Sequence, residues 1–166
     1  MIPLLAALLL TAQVTPSSQT TPTPPLPPAN PVPYSEPDVA NVMTPINAMF
    51  AGLAAHDAAA IAAQVRPEGG ATVAIENADG SRKIEHMSWA EFTAGIKPSA
   101  QQFEERLTDP AVEVDGDIAM AWSPYVFYLD GKAHHCGMDH FDLIRENDAW
   151  KVLNVTWSQR TTGCGA

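Results

Sequence analysis

From Asp38 onward the apolar residues Val39, Val42, Ile46, Met49, Phe50 and Leu53 recur at three- and four-residue spacing. That is the period of one buried helix face, and it predicts helical structure from Asp38 to Val65. Asp57 stands ahead of an alanine-rich second segment, Ala58 to Val65, as an N-cap, and Arg66-Pro67-Glu68-Gly69-Gly70 ends it. The period then changes. Ala71 to Ile75 is a short strand, Asn77-Ala78-Asp79-Gly80 turns, and Arg82 to His86 returns. Ser88, with Glu91 three residues on, forms a capping box for a helix carrying Trp89, Phe92 and Ile96, which Pro98 closes.

The last third alternates in long runs. A strand from Gln101 to Val114 is interrupted at Asp109-Pro110, Asp115-Gly116 turns, and three long strands follow, joined by Asp130-Gly131 and Asn147-Asp148. Trp122-Ser123-Pro124 is expected to bulge and so bend the sheet. Helices first and antiparallel strands afterwards predict an α+β fold, a curved, largely antiparallel mixed sheet wrapped around N-terminal helices as a cone.

Composition trims the folded part. Nine of the 15 prolines lie between Pro16 and Pro37, so residues 13–37 are expected to be an extended spacer with no core, leaving one domain over 38–166. The first twelve residues, MIPLLAALLLTA, are too short to span a bilayer and resemble the apolar part of a secretory signal. Export to the periplasm or medium is the expectation, with cleavage after Ala12 and no membrane span afterwards. A net charge of −10, with no basic cluster longer than Arg82-Lys83, disfavours nucleic acid as a partner.

The helix pair ending in Ala62-Ala63-Gln64-Val65, the strand GATVAI, the helix start MSWAEF and above all the closing DHFDLIRENDAWKVLNVT resemble the nuclear transport factor 2-like superfamily over Asp38 to Gln159. That superfamily includes SnoaL-like proteins and ketosteroid isomerase. The resemblance implies the cone, a pocket inside it, and pairing of two copies through the outer sheet face. It implies a domain that binds a small, partly apolar molecule in that pocket; the alternatives are a cofactor-independent isomerase, dehydratase or hydrolase, and a non-catalytic envelope interaction module. Ketosteroid isomerase places a Tyr on the first helix, a carboxylate just after the first strand and a protonated Asp beside the substrate oxygen. This chain offers Met49 and Phe50, then Glu76, then Asp139 for the third role.

Candidate chemistry concentrates in His134-His135-Cys136-Gly137-Met138-Asp139-His140. On a strand, His135 and Asp139 share a face but lie about 13 Å apart, too far to hold one ion, so no metal site is expected. A turn at Asn147-Asp148 sets Asp139 opposite Thr156 and Phe141 opposite Asn154. The expected inner face is therefore His135, Asp139, Phe141, Val152, Asn154 and Thr156, with Tyr125 adding a hydroxyl from the preceding strand. On that face His135 and Asp139 form the candidate acid–base pair, and Tyr125, Phe141, Asn154 and Thr156 the candidate ligand contacts. The same register puts Cys136 near Gln159. Cys164 reaches it if Thr161-Thr162-Gly163 reverses the chain, which leaves a disulfide or two buried thiols open. No nucleophile set or phosphate-cradling glycine loop is visible, and no cofactor is expected.

Overall fold

The computed structural model describes residues 36–164. The expected leader and nearly all of the expected spacer lie outside the described residues. Helix α1 runs Glu36–Ala54 and α2 Ala58–Ala62, followed by strands β1 Val65–Glu76 and β2 Arg82–Ser88. Helix α3 spans Trp89–Gly95, and then come β3 Phe103–Leu107, β4 Ala111–Asp115, β5 Ile118–Leu129, β6 Lys132–Glu146 and β7 Ala149–Arg160. Among the described residues no helix is long and apolar enough to cross a membrane.

The seven strands form one sheet in the order β2-β1-β7-β6-β5-β3, with β4 also paired to β5. Neighbours are antiparallel except β1 and β7, which run parallel. The fold is the α+β arrangement that the order of elements implied: helices against one side of a bent, unclosed sheet. Val42 and Ile46 of α1, Ile61 of α2 and Trp89 of α3 meet Phe141, Leu143, Val152 and Val155 of β6 and β7 in the core.

Local signals account for most boundaries. Asp57 accepts from the amides of Ala59 and Ala60 at 3.0 Å, satisfying donors that α2 cannot pair internally. Ser88 and Glu91 complete the capping box of α3. Both long hairpins turn on paired left-handed residues, Asp130 and Gly131 (φ 51° and 74°) and Asn147 and Asp148 (φ 51° and 63°). That geometry matches the twist of the flanking strands.

Four details differ from the sequence reading. Helix α1 begins at Glu36, so the last two residues of the expected spacer are helical. Helix α2 ends at Ala62, and β1 starts at Val65 rather than Ala71, because Gly69 and Gly70 lie inside the strand. The β1–β7 register shifts between Val65 and Gly70, and a Cβ at Gly69 would stand 1.7 Å from the Leu153 carbonyl oxygen. The glycines admit a close backbone approach there instead of ending an element.

The fourth difference is the bulge expected at Trp122-Ser123-Pro124. These residues pair with β6 without a break, and the irregularity falls between Phe127 and Tyr128. On its other edge β5 changes partner from β4 to β3 across Thr108-Asp109-Pro110. Pro124 sits at that changeover, with its carbonyl accepting from the Thr108 amide at 2.9 Å.

Candidate functional site

A cavity of about 240 Å³ opens between the helices and the concave sheet face. Met49, Phe50 and Leu53 of α1, Ile61 of α2, Phe92 of α3 and Ile96 just after it form its helical wall. The sheet adds Phe127, Phe141, Val155 and Trp157, so the lining is mostly apolar and strongly aromatic. Its polar side chains are Glu105, Tyr125, His135, Asp139 and Gln159.

Asp139 is 2% exposed. It lies opposite Ser123 on β5 and Trp157 on β7. Glu105 of β3 acts on it through a side-chain hydrogen bond and through charge. Burial raises the Asp139 pKa first, and the neighbouring Glu105 raises it further. Burial likewise raises Glu105, to about 7, and the bond to Asp139 partly offsets that. Two bare carboxylates cannot hydrogen-bond each other, since neither has a donor, and Oδ2 of Asp139 is then left buried without a partner. One proton between them resolves the conflict, because the protonated carboxyl donates to the other. The pair therefore holds a proton at a pH where isolated carboxylates hold none.

Tyr125 faces Gly137 on β6 and donates its hydroxyl to the Ser158 carbonyl on β7 at 3.1 Å. Burial and the Asp139 and Glu105 charges raise its pKa, which keeps it a neutral phenol. The His135 ring stacks on Phe127, with centroids 4.7 Å apart and planes at 20°, and meets Tyr125 edge-on. Its Nδ1 lies 2.9 Å from Nδ1 of His134. Two imidazolium rings would aim N–H at N–H there. Burial, and then the His134 charge, lower the His135 pKa to about 4, so the ring is neutral at physiological pH.

Four of the expected site residues, Tyr125, His135, Asp139 and Phe141, thus meet in the cavity. The hydrogen-bonding partners differ from the expected ones: His134 serves His135, and Glu105 serves Asp139. Asn154 and Thr156 are corrected to the opposite face. Leu143 pairs with Val152 but Asp142 pairs with Asn154, so Leu153 is an extra residue on β7. Beyond that bulge the phase shifts by one, which turns Val155, Trp157 and Gln159 inward. Asn154 accepts from the Gly70 amide at 3.2 Å, and Thr156 is exposed. The shift was readable in the strand itself, where the apolar phase passes from Trp150 and Val152 to Val155 and Trp157.

Glu105 was missed, and it also left a mark. In Phe103-Glu104-Glu105-Arg106-Leu107 it occupies the apolar phase set by Phe103 and Leu107. Of the positions tested against ketosteroid isomerase, Met49, Phe50 and Asp139 line the cavity. Glu76 instead lies at the surface, paired to Arg82 at 3.0 Å. Cys136 and Cys164 are joined in a disulfide with Cα atoms 5.4 Å apart, and Gly163 (φ 71°) supplies the reversal before Cys164. Among the described residues no group of three or more metal-ligating side chains converges.

No protein-family model and no curated protein sequence matches the chain. Solved structures do. An NTF2-like protein with a cystatin-like fold from Novosphingobium aromaticivorans aligns with TM-score 0.59 and 17% identity, over 78% of this chain and 85% of that one. A protein of unknown function with a cystatin-like fold from Nostoc punctiforme gives 0.59 and 13%, over 77% and 95%. An NTF2-like protein of unknown function from Shewanella baltica gives 0.57 and 11%, over 77% and 98%. The chain has the nuclear transport factor 2-like fold. At these identities the likeness establishes architecture, and the nuclear transport factor 2-like cone supports different functions through the residues that line it. Here those residues are an aromatic wall and an acid pair, with Asp139 buried and Glu105 half-buried.

Proposed function

We propose that the cone binds a small, partly apolar molecule whose body lies against the aromatic wall and whose polar end meets Glu105 and Asp139. The observation that carries this reading is Asp139: 2% exposed, in the cavity lining beside Glu105, and offered no donor except the one proton the two carboxyls share. One proton among four carboxyl oxygens leaves acceptors over, and a ligand donor would supply what the protein does not. Native mass spectrometry of protein purified from its source tests the reading, with retained small-molecule mass expected for the wild type and lost in Asp139→Asn. A fully ligand-free protein that also binds nothing from a fragment library would sink it.

A second reading, a cofactor-independent proton-transfer enzyme of the isomerase, dehydratase or hydrolase kind, is favoured by the same pair. Near neutral pH one carboxyl can accept a proton while the other can donate one, the division of labour that acid–base catalysis requires. The expected pairing of His135 with Asp139 becomes Glu105 with Asp139 in this reading, and His135 is a neutral ring on the cavity wall. A non-catalytic interaction module is the third class.

The apolar first twelve residues and the Cys136–Cys164 bridge support export to an oxidising compartment. Ile118 and Trp122, 59% and 45% exposed, support a homodimer through an apolar surface. Sedimentation of the full chain would test the pairing.

A further inference from the structure

We infer that the molecule held in the cone is an organic cation, an amine with an apolar or aromatic body, whose ammonium group sits against Asp139 and Glu105. This deepens the binding reading above and rests on it.

The charge inventory of the cavity carries the inference. Its lining includes two carboxyl groups and neither Lys nor Arg. Every charged or titratable group facing the pair can be assigned. From β5, Tyr125 is a neutral phenol whose proton is committed to the Ser158 carbonyl. From β6, His135 is neutral, stacked on Phe127 and bonded to His134. From β7, Gln159 is uncharged, and the Arg160 charge acts on the Tyr125 hydroxyl. The three helices contribute only apolar side chains to the lining.

No cation among the described residues therefore neutralises the pair. An anionic ligand would add a second negative charge to the singly ionised pair at low dielectric. A neutral alcohol brings a single O–H donor. An ammonium group brings up to three N–H donors and a full positive charge, which satisfies Oδ2 of Asp139 and the Glu105 carboxylate together once their shared proton has left. The surroundings suit a cation as well. Phe50, Phe92, Phe127, Phe141 and Trp157 all border the cavity, and aromatic faces attract ammonium groups more strongly when water is excluded.

The proton balance follows. The empty pair carries a proton between its two carboxyl groups, and an entering ammonium takes that proton's place. The proton leaves to buffer, and two carboxylates remain around the cation. Amine affinity should rise with pH through the titration of the pair and fall only where the amine itself loses its proton.

The test is calorimetry on the full chain with benzylamine, phenethylamine and tryptamine, each beside the alcohol of the same carbon skeleton. We expect at least one amine to bind tenfold or more tighter than its alcohol at pH 8. The preference should shrink by pH 5.5, and two buffers of different ionisation enthalpy should reveal proton release. Glu105→Gln and Asp139→Asn, each checked for folding by circular dichroism, should lose the amine preference while still binding the alcohol. Alcohols that bind as well as their amines, or binding without proton release, would overturn the cation assignment and leave the cavity reading standing. Failure of both series in the wild type would overturn both.

Discussion

Tyr125 and Gly137 face each other across β5 and β6, and the missing side chain at Gly137 lets the tyrosine reach Ser158 one strand further on. A Cβ at Gly137 would stand 1.8 Å from the Ser158 carbonyl oxygen, the atom that accepts the Tyr125 hydroxyl. Gly137 is therefore required by close approach, with no special backbone angle involved. Gly137→Ala should destabilise the protein by more than about 2 kcal/mol through strand displacement. Tyr125→Phe, which removes one hydrogen bond, should cost about 1 kcal/mol. Urea unfolding of both variants checks the ranking, and an Ala variant as stable as the wild type would refute the steric account.

Stability should fall with pH because of the acid pair. Glu105 and Asp139 titrate higher in the folded chain than at their ordinary values of 4.5 and 3.8. The folded state thus binds extra protons, and the stability they confer is full below about pH 4 and lost as pH rises through the folded values. His135 acts oppositely. Lowered from 6.5 to about 4, its contribution is present above pH 6.5 and lost as pH falls toward 4. Two carboxyls outweigh one imidazole, so the wild type should lose about 1–3 kcal/mol between pH 5 and pH 8. Asp139→Asn should flatten that slope in urea titrations, and an unchanged slope would contradict the pairing.

The disulfide closes a loop with a sequence separation of 28. In the chain-entropy model that stabilises by about 3–4 kcal/mol. Cys164→Ser should lower the urea midpoint accordingly, and reductant should bring the wild type to the same value. Alkylation and mass measurement before and after reduction report the bond directly.

Asn154 and Thr156 separate the two possible registers of β7. Asn154→Ala should cost about 1 kcal/mol, through the lost acceptor for the Gly70 amide. Thr156→Ala, at an exposed site, should stay within about 0.5 kcal/mol. Neither should change binding of a ligand that Asp139→Asn abolishes, as measured by calorimetry. A lost ligand response in either variant would place them back inside the cone.

The order of elements, the helix caps and the two long hairpins followed from local rules. A capping box, paired left-handed turn residues and apolar periodicity act over a few residues, so the sequence alone determined them. The same patterning put His135, Asp139, Phe141 and Tyr125 on a pocket-facing surface. Tertiary structure decided what local rules do not reach. Leu153 bulges where β7 meets Gly69 and Gly70 of β1, eighty-odd residues earlier in the chain, and that seam chose the inward phase of β7. Glu105 pairs with Phe127 on β5, and Asp139 with Ser123 four residues before it. In a flat sheet, two strand spacings and four residues would hold these carboxyl-bearing positions roughly 16 Å apart. Only the curvature of the assembled cone converges them, and with it comes the shared proton.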